Sequence, residues 1–531
     1  ADIAQLHQQA ALWYQAHGQP LAAVDHALAA ADYPLAAELM VAVSREVLMF
    51  GEGSALRQWV ESLPAELQTS RRRLSLFYAW SLIRTGALTQ ATAVLEAVAD
   101  QLDTPLLWGE WSALRARVAV MTGDTDVSIR FSQKALHKLP PDQHMLRSEV
   151  SINLGFSHLQ QADLEAAREA FAEAAQNSSH DPGLWAVMFA TFYWGQTYER
   201  QAQLPAAFDI YQRGLEIAQT QTNGRTPSPA VGFMHVGLGG LFYEWNRLAE
   251  AETHLRHALT FAKRCGDHKM LIYARGQLAQ YLAAVSDWQA AFALIDDLEQ
   301  QIQAASPTIR RATLALQQGD TLPVQQWASQ LGIALTDSPE KFQEWPTAYL
   351  ELVRLHLAQR EFQGTLPALQ MLADVADTRH NTHFLIEVTL TQALALAKQG
   401  DMVTAVPLFQ RTLTLAEPGG YVRLFLDQQE ASLARLLHHV AGNGVTTEYA
   451  RSLLVHLDPT AVIEETIIQP LSGRELETLQ YLAEGLTNRE ISQRMVVSIN
   501  TVKAHTRRLY QKLNVNNRTQ AVGRARDLQL L

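Results

Sequence analysis

LSGRELETLQYLAEGLTNREISQRMVVSINTVKAHTRRLYQKLNVNNRTQAV, residues 471–522, is the stretch that decides how the carboxy-terminal part of the chain folds. Ser472 and Thr487 are each followed after three residues by a glutamate, as in a capping box, and Ser498 is an N-cap candidate. Gly485 is suited to end the first helix, because glycine adopts the left-handed conformation at little cost. The stretch therefore predicts short, closely spaced helices of the helix-turn-helix kind.

The formal charge of the chain changes sign in the same segment. From residue 470 to the end, ten Lys and Arg residues stand against five Asp and Glu residues, which gives a charge of +5. Since the whole chain carries −11, the first 469 residues carry −16. A basic terminal segment on an acidic body is the electrostatic footprint of a nucleic-acid-binding module.

A helix over about 498–513 separates into two faces at 100° per residue. The face that we expect to pack on the domain core holds Val502, Thr506, Leu509 and Leu513. The opposite face holds Asn500, Lys503, Ala504, Arg507, Arg508 and Gln511. Arginine and lysine can pair with guanine, asparagine and glutamine with adenine, and an alanine methyl can contact a thymine methyl. An ordinary solvated face is the alternative, but the caps, the glycine and the charge together favour DNA binding.

The segment resembles the LuxR-type, or GerE-type, DNA-binding domain. The resemblance rests on a dense, ungapped set of residues: Leu471-Ser472, Arg474-Glu475, Gly485, Asn488, Glu490-Ile491, Ser498, Thr501-Val502-Lys503, His505, Lys512-Leu513 and Asn517-Arg518. It implies four helices, of which the third reads the major groove and the fourth, about 517–529, forms a dimer contact. Met495, where aliphatic residues are common, is a mild departure.

The resemblance also implies roles for individual residues of the third helix. Lys503, Ala504 and Arg507 fall where the family makes base or near-base contacts; Asn500 and Gln511 join them as base-contact candidates because they share that face. The candidates for phosphate contacts, which position the protein on the duplex, are Asn488, Thr501 and Arg508.

The preceding residues are rich in alanine and leucine and contain a repeat. A turn residue is followed by a small residue after five positions, a bulky one after nine and a small one after twelve, as in Gly86, Ala91, Leu95 and Val98. The turns lie near 18, 86, 123, 162, 202, 246, 286, 319, 360 and 400, mostly 37 to 44 residues apart, with a poorly marked unit around 51–53. This pattern predicts an all-α solenoid of tetratricopeptide-like (TPR-like) helical hairpins, rather than a single globular helical bundle.

Parts of the repeat region resemble MalT-like regulators, in which a nucleotide-binding switch domain precedes a solenoid and a LuxR-type domain. The similar stretches are Ala11 to Leu28, Trp59 to Leu63 and Glu417 to Asp427. No G-x-x-x-x-G-K-[ST] motif is present in the sequence. We therefore expect no cofactor in this chain and expect it to be the carboxy-terminal part of a longer regulator, whose preceding domain would bind ATP.

Aromatic residues concentrate between Trp185 and Trp245, where 12 of 61 residues are Phe, Trp or Tyr. Most are expected to belong to the solenoid core. The alternative is a ligand pocket on the concave face, with the candidates Trp194, Tyr198, Tyr243 and Trp245. The resemblance implies a small-molecule sensor, since the family's namesake responds to a maltooligosaccharide, but the identity of the inducer does not transfer.

The composition limits the remaining classes of function. One cysteine, Cys265, excludes an intrachain disulfide and suits a reducing cytoplasm. No stretch approaches the roughly 20 apolar residues that span a bilayer. The scattered histidines suggest no metal site, and no catalytic constellation is recognisable, so we expect no enzyme. We predict a repeat domain over 1–457, a linker over 458–469 framed by Pro459 and Pro470, and a DNA-binding domain over 470–531.

Together these observations predict a cytoplasmic transcriptional regulator, an activator, in which a helical-repeat sensor controls a DNA-reading end. The expected partners are double-stranded DNA, a small-molecule or protein inducer on the solenoid, further copies of the chain and RNA polymerase. The alternative is a TPR-like protein-interaction scaffold with an accessory DNA-binding domain. The operator and the inducer are not specified by the sequence.

Overall fold

The computed structural model describes residues 3–49, 53–177, 184–222, 228–265, 267–301, 308–428, 430–442, 446–457, 473–513, 515 and 517–527. These residues form helices and turns, and no β-strand occurs among them, which confirms the predicted all-α class. None of the described helices is long and apolar enough to cross a lipid bilayer. The predicted linker, 458–469, lies outside the described residues, as do Ser472 and most of the poorly marked unit around 51–53.

The chain divides into two compact units. The first comprises Ala1–Val388 with Pro418–Gly420, and the second comprises Thr389–Glu417 with Tyr421–Leu531. The predicted boundary near residue 458 remains a prediction, because the residues around it are not described.

Helical hairpins follow one another along the chain. The paired helices are Ile3–Ala16 with Pro20–Ala29, Arg72–Arg84 with Leu88–Val98, Pro105–Thr122 with Thr125–Lys138, His144–Gln160 with Leu164–Asn177, Trp185–Arg200 with Leu204–Thr222, Gly232–Glu244 with Leu248–Cys265, His268–Ala284 with Trp288–Gln301, Ile309–Gln318 with Leu322–Leu331, Pro346–Ala358 with Thr365–Thr378, and Thr382–Lys398 with Met402–Ala416. Further helices before residue 473 are Tyr33–Met49, Gly53–Glu61, Ala65–Ser70, Pro339–Glu344, Arg423–Leu426, Ala431–Gly442 and Thr447–Leu457, with 3₁₀ turns at Ala99–Gln101, Pro229–Val231 and Glu417–Gly419.

The turn inside each of these hairpins has a left-handed residue at the predicted position. Positive φ angles occur at Gly18, Gly86, Gly123, Ala162, Ala202, Asn246, Ser286, Gly319, Arg360 and Gly400. A left-handed residue ends the first helix of a hairpin and redirects the chain into the second. The repeat predicted from sequence is therefore confirmed, including at positions where the residue is not glycine.

An aspartate often follows the left-handed residue and begins the second helix. The carboxylates of Asp124, Asp163 and Asp401 accept hydrogen bonds from the backbone N–H groups three residues ahead, at 3.1, 3.0 and 3.1 Å. An N-cap of this kind satisfies a backbone donor that has no partner within the helix. The sequence analysis did not use this signal, although the pairs Gly123-Asp124 and Gly400-Asp401 display it.

The residues five, nine and twelve positions after the turns form the core of the hairpins. Ala91, Ala167, Ala251 and Ala405 are fully buried, and so are the bulky residues Leu95, Phe171, Leu255 and Phe409. Glycines let neighbouring helices approach. A Cβ atom at Gly195 would lie 2.2 Å from the Tyr211 ring, and one at Gly237 would lie 2.4 Å from the other edge of that ring. Hairpin packing thus depends on small residues facing large ones.

Candidate nucleic-acid interface

Four short helices make up the described carboxy-terminal part: the first helix Gly473–Ala483, the second helix Asn488–Met495, the reading helix Ile499–Leu513 and the fourth helix Arg518–Asp527. Their apolar faces form one core, which consists of Leu479, Leu482, Ile491, Met495, Val502, Leu509, Ala521 and Ala525. The described part of the fourth helix begins one residue later than predicted, and residues 528 and 529 of the predicted helix lie outside the described residues.

The turns between these helices follow the predicted capping chemistry. Gly485 has a φ of +90° and follows the end of the first helix. Thr487 and Glu490 form the predicted capping box: the Thr487 N–H donates to the Glu490 carboxylate at 2.7 Å, and the Glu490 N–H donates to the Thr487 hydroxyl at 3.4 Å. The hydrogen bond from the Thr487 backbone lowers the pKa of Glu490. These contacts fix where the second helix begins.

The turn before the reading helix is tight and strained. Val496 follows the second helix with φ and ψ of 55° and 48°, although a β-branched side chain rarely adopts this left-handed conformation. Ser498 then caps the reading helix, since its hydroxyl accepts a hydrogen bond from the Thr501 N–H at 3.1 Å. The hydroxyls of Ser498 and Thr501 are 2.8 Å apart.

The reading helix has the orientation predicted from its sequence. Val502 and Leu509 are fully buried, and Thr506 is half-buried with its hydroxyl bonded to the Val502 carbonyl at 2.9 Å. The opposite face is exposed and carries Asn500, Lys503, Ala504, Arg507 and Arg508. The side chains of Gln511 and Leu513 lie outside the described residues.

Two of the three phosphate-contact candidates lie at helix starts, and the third, Arg508, is exposed farther along the reading helix. Asn488 is half-buried at the first position of the second helix, and Thr501 is half-buried in the first turn of the reading helix. Backbone N–H groups at helix starts carry partial positive charge and bind phosphates. Arg489, which the sequence analysis did not name, is exposed next to Asn488. Its position at the start of the capped second helix is the signal that could have identified it.

The cations of this domain fall into two groups. Lys503, Arg507 and Arg508 form no ion pair with any residue that the structure describes. By contrast, Arg494 pairs with Glu484 at 3.0 Å and Lys512 pairs with Glu475 at 2.7 Å. The unpaired cations of the reading helix therefore share one exposed face, where no side chain competes with a phosphate or a base for them.

The four aromatic ligand candidates lie in the first unit, in surroundings that differ. Trp194 is half-buried, and its indole N–H has no acceptor among the described residues. The Arg168 guanidinium lies 4.4 Å from the ring centre of Tyr198. Tyr243 is 7 % exposed, and the Trp245 indole donates to the Gly419 carbonyl at 2.9 Å. The shared pocket remains a prediction.

Much of the aromatic concentration is core, as the sequence analysis expected. Phe192, Tyr211 and Phe233 are at most 1 % exposed and contact one another. None of the four ligand candidates lines a cavity of about 370 Å³ in this unit, whose lining is Gln201, Gln203, Ala376, Asp377, His380, Asn381, Thr382 and Leu385. No cluster of His, Cys, Asp and Glu in the described part of the chain is arranged to hold a metal ion.

Two family profiles match the sequence. The MalT-like TPR region matches residues 109–442, and the luxR family of bacterial regulatory proteins, GerE, matches residues 469–525. The second match covers the four helices described above, and the first covers most of the hairpins.

Curated relatives match nearly the whole chain. It is 23% identical to an HTH-type transcriptional regulator MalT of Vibrio parahaemolyticus serotype O3:K6 (strain RIMD 2210633), an alignment covering 98% of this chain and 61% of the relative. It is also 23% identical to the protein of that name from Serratia proteamaculans (strain 568), covering 99% of this chain and 62% of the relative. The chain thus spans about three-fifths of the length of these relatives. Among solved structures, the apo form of RapI is similar with a TM-score of 0.43 and 12% identity, covering 68% of this chain and 97% of RapI.

Proposed function

The chain belongs to the family of the MalT-like TPR region and carries a luxR-family domain, and from this premise we propose that it is the sensing and DNA-binding part of a transcriptional activator. The reading helix inserts into the major groove of double-stranded DNA, while the helical repeats bind the signal. This function places the protein in the cytoplasm, where bacterial DNA is accessible to it.

The observation that carries the proposal is the division of the reading helix into two faces. Val502 and Leu509 anchor it in the domain core, and the face opposite them is exposed and bears cations without ion-pair partners among the described residues. A helix held in this way presents its polar side chains to base edges. The base contacts are assigned to Asn500, Lys503, Ala504, Arg507 and Gln511.

Phosphate contacts fix the position of the reading helix in the groove. We assign them to Asn488, Thr501 and Arg508, and we add Arg489. Asn488 and Arg489 lie at the start of the second helix, whereas Thr501 and Arg508 lie on the reading helix, so both helices are held to the duplex backbone. They contribute affinity that depends on salt and little on sequence.

Self-association couples the signal to DNA binding. The acidic remainder of the chain, with its charge of −16, repels DNA, so one DNA-binding domain of charge +5 binds weakly by itself. Signal-driven assembly places several such domains side by side and raises their effective concentration at repeated half-sites, where they recruit RNA polymerase. DNA affinity is therefore expected to rise steeply with oligomeric state, as measured by light scattering alongside footprinting.

A gel-shift experiment tests the DNA-binding assignment. A preferred duplex is first selected from genomic fragments with the wild-type chain, and each variant is then titrated with that duplex and with a random one. Arg507→Ala should reduce the preference for the selected duplex about tenfold, the value of one base contact. Lys503→Ala should weaken binding to both duplexes and reduce the salt dependence by about one counterion.

Arg474→Ala is the matched control. It also removes an arginine, but Arg474 lies on the first helix and pairs with Glu477 at 2.8 Å. Its affinity for both duplexes should stay within twofold of wild type. Unchanged affinity of the double variant Lys503→Ala, Arg507→Ala for both duplexes would overturn the proposal.

A further inference from the structure

A cluster of cations and aromatic rings lies in the first unit, away from the DNA-binding domain. The ammonium of Lys269 is 5.6 Å from the ring centre of Phe156 and 5.8 Å from that of Phe189. Tyr273 follows Lys269 by four residues on the helix His268–Ala284, so both side chains share one face of that helix. The Tyr273 ring packs 5.4 Å from the ring of Phe192.

Two arginines from other hairpins face the same tyrosine. Arg200, at the end of the helix Trp185–Arg200, and Arg310, on the helix Ile309–Gln318, both interact electrostatically with Tyr273. Arg310 also packs against that helix, because its side chain would lie 3.4 Å from a Cβ atom at Gly276. Cations from three hairpins therefore lie in the neighbourhood of Tyr273. We call Lys269, Arg200 and Arg310, with the rings of Phe156, Phe189 and Tyr273, the cationic surface.

The three cations have no ion-pair partner among the residues that the structure describes. The Arg310 guanidinium donates a long hydrogen bond of 3.4 Å to the side-chain amide oxygen of Gln280. Its chain neighbour Arg311 behaves differently, because it pairs with Glu299 at 2.8 Å. An arginine in this region can thus find a carboxylate, whereas Lys269, Arg200 and Arg310 have no such pair within the described part of the chain.

The carboxyl groups nearest to the cations are already engaged elsewhere. Glu199 accepts a hydrogen bond from the Tyr211 hydroxyl, and burial raises the pKa of Glu199 to about 6. Glu351 pairs with Arg354 at 2.7 Å. Glu387 and Asp267 interact with Arg310 and Lys269 only at longer range. None of these carboxylates forms an ion pair with Lys269, Arg200 or Arg310 among the described residues, so each cation can still bind an anion directly.

The cations are also poorly hydrated. Each is exposed to solvent, yet burial by the surrounding hairpins lowers the pKa of Lys269, Arg200 and Arg310. Neighbouring hairpins therefore exclude part of the surrounding water, and a bound anion meets a lower dielectric there than in bulk water. Attraction for an anion is stronger there than at a fully solvated side chain.

We propose that the cationic surface binds a small organic anion with at least two negative charges, phosphate or carboxylate, whose non-ionic part packs on Phe189 and Tyr273. Lys269 and the two arginines bind the charged groups. This inference rests on the proposed function, since it names the chemical class of the signal that the repeats bind. It differs from the aromatic pocket predicted from sequence in both its residues and its ligand.

Thermal melting of the whole chain tests the proposal, with pyrophosphate and citrate as probes and sodium chloride of equal ionic strength as reference. Wild type should melt about 2 °C or more higher with a probe than with chloride. A shift with pyrophosphate alone identifies phosphate as the preferred group, and one with citrate alone identifies carboxylate. A wild-type chain that responds to neither probe overturns the proposal.

Two sets of variants locate the binding. Lys269→Met and Arg310→Gln should each abolish the shift while melting normally in chloride. Arg256→Gln, which removes an exposed arginine paired with Glu252, and Arg507→Ala, on the reading helix, should keep it. An equal shift in all variants would reveal a general anion effect and overturn the proposal.

Gel shifts on the same preparations separate the two proposals. A probe-dependent melting shift without DNA binding would contradict the proposed function but not the anion site. DNA binding without a melting shift would contradict the anion site alone.

Discussion

Lys512 on the reading helix donates to the carboxylate of Glu475 on the first helix at 2.7 Å, although 37 residues separate them. The Glu475 side chain is 4 % exposed and that of Lys512 is 18 % exposed. An ion pair this deeply buried fixes geometry, because either partner alone would be an uncompensated charge in the core. The pair sets the distance between the reading helix and the helix it packs on.

Glu475→Gln should destabilise the DNA-binding domain by about 3 kcal/mol, because it leaves Lys512 without its counter-ion. Hydrogen exchange of the first-helix amides in the whole chain measures the effect. The control is Glu477→Gln, which breaks an exposed pair with Arg474 and should cost under about 1 kcal/mol. Equal exchange rates in the two variants would show that the buried pair does not hold the helices together.

Val496→Gly should stabilise the DNA-binding domain by about 1 kcal/mol, because it relieves a left-handed β-branched residue. Val496 is 88 % exposed, so the lost side chain contributes little burial. Val403 matches it at 88 % exposure but lies in the helix Met402–Ala416. Val403→Gly should therefore lower the free energy of unfolding slightly. If urea denaturation finds that both variants change the free energy of unfolding in the same direction, Val496 is not strained.

Gly195→Ala should destabilise the repeats by about 1 to 3 kcal/mol, because the added methyl would overlap the Tyr211 ring. Gly442→Ala is the matched control, since a Cβ atom there meets nothing within 4 Å. Thermal melting followed by circular dichroism compares the two variants. If Gly195→Ala melts no earlier than Gly442→Ala, the hairpins do not depend on this close approach.

The stability of the repeats should fall as the pH falls below about 6.5. Burial, with His254 and His257 adding repulsion, lowers the pKa of His235 to about 3. The unfolded chain then binds a proton that the folded chain does not, so the free energy of unfolding decreases on acidification between the unfolded value and pH 3. From pH 7.5 to pH 5 this amounts to about 1 to 2 kcal/mol.

His235→Gln isolates this contribution. Urea denaturation at both pH values should show a smaller acid loss than in wild type. His137→Gln, which replaces an exposed histidine, should leave the acid loss unchanged. A His235→Gln variant with the full acid loss would exclude His235 as its source.

The parts of the fold that follow local rules were predictable from sequence. The turn period located left-handed residues even where the side chain is Ala162, Ala202 or Arg360, because the spacing of small and bulky residues repeats around them. The two faces of the reading helix were predictable for a similar reason, because a helical period of 3.6 residues places Val502 and Arg507 on opposite faces. The MalT-like and LuxR-type resemblances are confirmed by the family matches.

The parts that depend on packing between distant residues were not predictable. The capping box predicted for Ser472 and Glu475 lies partly outside the described residues, and the pairing of the Glu475 carboxylate with Lys512 was not predicted. The cationic surface assembles from Arg200, Lys269 and Arg310, which a linear pattern does not relate. Hairpins 37 to 44 residues apart bring such side chains together only after stacking.

Arg518 begins the fourth helix and donates to the backbone carbonyls of Leu486 and Leu482, at 2.7 and 2.6 Å. The Arg518 guanidinium thereby holds the amino end of the fourth helix against the carboxyl end of the first helix and the turn that follows it. A molecule that docks on the last helix therefore acts on the first helix too and, through the pair of Glu475 and Lys512, on the reading helix. The fourth helix thereby couples docking to the position of the reading helix.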